Sequence, residues 1–255
     1  MPQNRERTLT EAFVFVANSL ADGLDPVDLL SGLTADCARL LDIESAGLLL
    51  ADPQGTLHVV AASSERTRTL ELFQLQREQG PCLDCFHSGA PVAVADLHAE
   101  AARWPEFVAA ATAAGFASVH ALPMRLRDNV LGTLGLFGAA VGPLAEADLN
   151  LGQALAHVAS IALVVDKAAT DKESINQQLQ VALQSRIVLE QAKGLLAQLG
   201  DLDMDQAFAV LRRYARDHNE RLSEVAQAVV SRAMPAQQMI DHSMAALRLP
   251  QTRKH

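Results

Sequence analysis

Apolar and polar positions alternate in different rhythms along this chain, and the rhythm changes twice. Leu9 to Leu20 has the spacing of an amphipathic helix. Asp25-Pro26 starts a second, with Asp25 as cap and Pro26 at the first helical position, running to about Leu41. From Ser45 the pattern turns to short apolar runs. Ser45–Ala51 ends at the turn signal Asp52-Pro53-Gln54-Gly55, and Thr56–Ala62 resumes, which predicts a hairpin. Thr69–Gln79 reads as a helix, Val92–Ala95 as a short strand, and Arg103–Ala114 as a helix stopped by Gly115. Ser118–Arg127 and Val130–Phe137 form a second hairpin across Asp128-Asn129. The order predicts an α+β domain, a mainly antiparallel sheet with flanking helices.

After Pro143 the rhythm becomes helical again and stays so. Leu151, Leu155, Val158, Ala162, Val165 and Ala169 step by three and four, a coiled-coil-like seam. Such a seam predicts a parallel dimer through a long connecting helix; folding back onto its own domain is the alternative. The stripe weakens over 167–176 and restarts at Leu179. Beyond Gly200, Asp203 caps a helix carrying Ala207, Phe208, Leu211 and Tyr214, with Asn219 as its stop. Leu222–Val230 forms a last short helix before Pro235. The division expected is an α+β domain over 1–165, a helical linker over 166–180, an all-α three-helix module over 181–235 and a flexible tail over 236–255.

Composition adds constraints. Apolar residues make up 49% of the chain and aromatics only 4%, so Ala, Leu and Val must build the core. The net charge of -9 argues against wholesale coating of nucleic acid or an anionic membrane. That acidity is uneven: residues 1–170 carry 10 basic and 20 acidic side chains, and residues 171–234 carry 8 and 9. The second part is near neutral and can present a basic face to phosphate. With neither a long uncharged apolar window nor an apolar leader stretch, the chain is expected in the cytoplasm. Three cysteines without a secretion signal make a disulfide framework unexpected.

Candidate chemistry is sparse in the first part. Cys82 and Cys85, followed by Phe86 and His87, have the spacing of a redox couple or half a zinc site, and also suit a ligand-pocket wall, a switch segment or plain packing. Gly132-Thr133-Leu134-Gly135 lies inside a strand pattern, where glycine permits a tight sheet or an open cavity. Nucleophile, zinc-protease and phosphate-loop patterns are missing, so no enzyme, metal or cofactor is expected. The second part reads more clearly. Arg186 and Lys193 lie seven apart and share a helix face. Arg212 and Arg216 form an i,i+4 pair, with Arg213 and Tyr214 between them. Long basic side chains at helical spacing suit phosphate or base contact, and Tyr214 offers a stacking ring if exposed; solvation, or pairing with Glu190, Asp217 and Glu220, is the bland alternative.

Residues 186–230, RIVLEQAKGLLAQLGDLDMDQAFAVLRRYARDHNERLSEVAQAVV, resemble the ANTAR domain, an RNA-binding antitermination module. Arg186, Ala192-Lys193-Gly194, Ala207-Phe208, Leu211-Arg212, Ala215-Arg216 and Asn219 carry the resemblance. Residues 1–165 resemble a GAF sensor domain through GPCLDCFHSGAPV, Asp96-Leu97, RWPEF and SVHALPMRLRDNVLGTLGLF. The resemblance implies a transcription antiterminator that binds paired stem-loops in nascent leader RNA as a homodimer. Arg186, Lys193, Gly194, Arg212, Arg213, Tyr214 and Arg216 would form its RNA surface, with Ala192 and Gly194 keeping the helix face low. A phosphorylatable receiver pattern is missing, so the expected input is a small ligand, a redox cue or a partner protein. A DNA-binding regulator and a protein-only adaptor are the rivals.

Overall fold

The computed structural model describes residues 25–164 and 172–247. The helix expected over 9–20, and Val165 and Ala169 of the seam, lie outside them. The described chain divides into two compact units, the first comprising 29–183 and the second 25–28 with 184 onward.

The first unit is built on five antiparallel strands in the order β2-β1-β5-β4-β3. They are β1 (Ser45–Ala51), β2 (Leu57–Ala62), β3 (Val92–Val94), β4 (Ser118–Leu126) and β5 (Asn129–Gly138). Both expected hairpins are present. Strand residues alternate between two buried faces, which is why these strands read as nearly continuous apolar runs. Leu48, Leu50, Leu122, Met124, Leu134 and Leu136 join one core. That core is closed by α1 (Pro26–Leu40) through Leu30, Leu33 and Cys37, and by α5 (Glu146–Val164) through Leu155, Ala156, Ala159 and Leu163. The opposite face is covered by α2 (Glu65–Arg77), α3 (Pro81–Ser88) and α4 (Pro105–Ala113). Beneath them lie Leu49, Ala51 and Ala121 with Cys82 and Cys85, and Val119 and Phe137 with Phe107 and Phe116.

Local signals explain the helix bounds. Asp25 accepts from the Val27 amide at 3.0 Å, the cap its sequence promised. Ser64 caps α2 four residues earlier than the apolar pattern suggested. The Cys82 segment is a helix: Pro81 sits at its first position, and Gly80 and Gly89 flank it at positive φ.

The seam finds a different partner from the one expected. Leu155 is 1% exposed inside the sensor's own core, and Leu151 packs against that core. Over these residues the stripe is satisfied within the chain.

The second unit comprises the end of α6 (Lys172–Gly200), with α7 (Met204–His218), α8 (Leu222–Val230) and α9 (Ala236–Leu247). Leu189, Ala192, Leu196, Ala207, Val210, Leu211, Val225, Ala226 and Val229 form its core. A reciprocal cap between Asp203 and Gln206 opens α7, and Asn219 ends it at φ 54. The segment expected as a flexible tail is helical through Leu247. Met239 and Ile240 are buried in the same core, and Ser243 Oγ donates to the Val210 carbonyl at 3.3 Å.

Candidate nucleic-acid interface

The helical register of α6 places Arg186, Glu190 and Lys193 on one face, four and three residues apart. Arg186 Nη2 stands 2.6 Å from Glu190 Oε1, and Lys193 Nζ reaches the two carboxylate oxygens at 3.2 and 3.3 Å. Lys193 Nζ also stands 5.9 Å from the centre of the Phe208 ring on α7. Arg186 is 8% exposed and Lys193 4% exposed, so these two of the five cations expected to meet RNA are buried and ion-paired. Ala192 is core, so it does not lower a surface. Gly194 is exposed, and a Cβ there would meet nothing within 4 Å.

The α7 candidates are arranged differently. Arg216 is exposed. Arg213 is half-buried and 3.2 Å from Asp217. Arg212 donates to Asp28 Oδ1 at 3.0 Å, also within the second unit. Tyr214 is only 6% exposed, so it is no open stacking platform. It stacks on His218 with ring centroids 3.9 Å apart, and His242 of α9 meets its edge at 5.4 Å. His242 Nε2 lies 3.0 Å from Asp217 Oδ2. That hydrogen bond, helped by the charges of Arg213, His242 and Arg216, holds the Asp217 carboxyl below its usual range against slight desolvation. The sequence reading missed His218 and His242, because the proximity of His242 depends on α9.

In the sensor unit the Cys82 segment faces inward. Cys82 and Cys85, three apart on α3, are both 0% exposed, Phe86 is half-buried and His87 points to solvent. Burial, then the neighbouring Glu71 carboxylate, pushes the Cys82 thiol well up; burial pushes Cys85 up to about 12. Neither sulfur has thiolate character, and all three cysteines are free. Among the described residues no group of three His, Cys, Asp or Glu side chains could hold a metal ion. The segment is thus a packed wall, with Asp84 tied to Arg103 at 2.6 Å.

A buried carboxyl that the sequence reading missed lies behind that wall. Gly47 and Gly135 are paired across β1 and β5, and the missing side chains leave a notch on the α2 face. Glu71 fills it: a Cβ on either glycine would come within 2.7–2.8 Å of its Oε1. Glu71 is 0% exposed and is hydrogen-bonded by the Gln74 amide, with the Cys82 thiol 3.6 Å from Oε1. Burial raises its carboxyl to about 8 despite those bonds, so it is held mostly protonated at neutral pH. An open cavity of about 400 Å³ lies elsewhere, lined by Ser118, His120 and the 139–144 loop. There the Leu144 amide donates to His120 Nε2 at 3.3 Å, and burial lowers the His120 pKa.

The structure thus defines an α+β unit built on a five-stranded antiparallel sheet and a second, all-helical unit. The GAF domain model matches residues 23–164 and the ANTAR domain model residues 177–230. The chain belongs to the GAF family and carries a C-terminal ANTAR domain, the architecture of a non-catalytic antitermination regulator. No curated protein matches the sequence significantly.

Among solved structures, the chain is similar to the GAF domain of an Acinetobacter phosphoenolpyruvate-protein phosphotransferase, with 12% identity, 60% of this chain and 91% of that one covered, and a TM-score of 0.47. The corresponding domain from Coxiella burnetii is 13% identical, over 63% and 94%, with a TM-score of 0.47. The phycoerythrobilin-bound GAF domain of a cyanobacterial phytochrome is 17% identical, over 63% and 95%, with a TM-score of 0.48.

Proposed function

We propose that this protein is a cytoplasmic antiterminator that binds paired stem-loops in nascent leader transcripts as a homodimer and prevents the terminator hairpin from forming. The ANTAR module carries the reading. Its α6 and α7 carry Arg186, Lys193, Arg212, Arg213 and Arg216, cations with the reach to contact phosphate and loop, and Gly194 adds exposed backbone on the same helix as the first two. Tyr214 supports that surface from beneath, through its stack on His218. Two modules on two stem-loops raise avidity without new contacts. Support for the dimer comes from α6, where Val181, Ile187 and Leu199 are each more than half exposed. Among the described residues no helix is long and apolar enough to cross a membrane, consistent with a cytoplasmic place. The sensor's input is a small ligand or a partner protein, and Cys82, Cys85, Phe86 and His87 act as the wall that transmits it.

The test is binding of the full chain to a pool of hairpin RNAs with fixed stem and randomised loop, beside duplex DNA of matched length. Preference for hairpins, weakening as salt rises, is expected. Equal or better binding to duplex DNA would replace this reading with the DNA-binding one.

A further inference from the structure

Two of the cations assigned to RNA already hold an anionic partner. Arg186 and Lys193 share one carboxylate, Glu190, at 2.6 and 3.2 Å. All three belong to α6. They are not equally enclosed. The side chains of Arg186 and Lys193 are 9% and 5% exposed, and that of Glu190 is 17% exposed. The carboxylate is therefore the most solvent-facing of the three and the one best placed to swing out. Lys193 keeps a second support when it does, because the Phe208 ring lies near its ammonium from α7. Open surface at Gly194 adjoins the cluster.

We propose that Glu190 gates the RNA contact: a backbone phosphate reaches Arg186 and Lys193 by taking the place of this carboxylate. The inference rests on the RNA-binding reading above and adds a residue of opposite sign to it. A phosphate offers the guanidinium and the ammonium the same charge-assisted geometry that the carboxylate does, with more acceptor oxygens. Exchange costs little because the cations never lose an anionic partner, whereas a bare buried pair would be expensive. Non-specific anions must make the same exchange, so Glu190 also suppresses weak binding. Glu190 is thus a positioning residue that sets affinity without being an RNA ligand.

The experiment measures hairpin binding and thermal unfolding for the full chain and for Glu190→Gln, using hairpins selected from the randomised-loop pool. Glu190→Gln is expected to lower the unfolding midpoint of the RNA-free chain and to bind RNA about tenfold more tightly, at the lower end of what a hydrogen bond to a charged group contributes. Its salt dependence stays that of the wild type, because the same phosphates are contacted. Glu190→Asp, which keeps the charge and shortens the reach, gives a smaller gain and serves if the first variant does not fold. A purely structural Glu190 would lose stability and affinity together, and that outcome, or an unchanged affinity, overturns the gate. If the wild type binds no hairpin at all, the RNA-binding reading falls, and the gate with it.

Discussion

Replacing Glu71 by glutamine removes one titrating proton from the centre of the sensor and leaves the shape of the site intact. In the folded chain this carboxyl holds its proton up to about pH 8, against 4.5 for an ordinary glutamate. Between those values the native state binds a proton that the unfolded state has released. Stability therefore falls as pH rises through this window, is undiminished below 4.5 and levels off above about 8. At about 1.4 kcal/mol per pH unit the whole window corresponds to roughly 5 kcal/mol, of which roughly 3 kcal/mol is already lost at pH 7. A glutamine at 71 keeps an oxygen for the Gln74 amide and is neutral at every pH. Glu71→Gln is expected to match the wild type near pH 4.5, to exceed it by roughly 3 kcal/mol at pH 7 and to show a flatter dependence throughout. Urea unfolding at pH 5, 7 and 8.5 measures this, followed by the fluorescence of Trp104, the chain's single tryptophan, buried at 3% exposure in the same unit. Equal pH slopes in the two proteins would refute a neutral, buried Glu71.

Further expectations follow from the same packing and from the helix caps. Native protein at pH 8 leaves all three thiols unlabelled by a thiol reagent, because Cys37 and Cys85 are pushed up to about 12 and all three are buried; denatured protein labels at three. Fast labelling of Cys82 in the native state would contradict the packed wall. Gly135→Ala places a Cβ 2.8 Å from Glu71 Oε1 and 2.9 Å from the Phe137 ring, and is expected to destabilise the sensor by about 1–3 kcal/mol in the same urea assay. Asp203→Ala breaks the reciprocal cap with Gln206 and is expected to cost the output module about 1 kcal/mol, read as a lower unfolding midpoint by circular dichroism.

Much of the sensor was legible because both faces of its strands are buried and its turns are marked by Asp, Pro, Gly and Asn. The Gly132-to-Gly135 run was read as permitting a tight sheet or an open cavity, and what fills the notch at Gly135, the Glu71 carboxyl, could not be read, since a lone glutamate on a polar helix looks like a solvated one. Helix α3 was signalled by Pro81 between two glycines, yet its cysteine spacing drew attention to chemistry instead. The seam at Leu151 and Leu155 shows the limit of periodicity: it says that a stripe must be covered, and not whether a sheet of the same chain or a second chain covers it. For Arg186 and Lys193 the bland alternative named Glu190, and helical spacing alone places that carboxylate between them. Helix α9 carries few large apolar residues, so its pattern gains meaning only against α7.

That last helix changes what counts as one folding unit. The ANTAR match ends at residue 230, but the compact body continues through α9. A fragment cut at the match boundary would open the seat of Met239 and Ile240 to water, leave the Val210 carbonyl without the Ser243 hydroxyl and remove the imidazole that holds Asp217. The smallest part of this protein expected to remain soluble and cooperative apart from its sensor is therefore longer than its domain signature, with its natural end beyond Ser243.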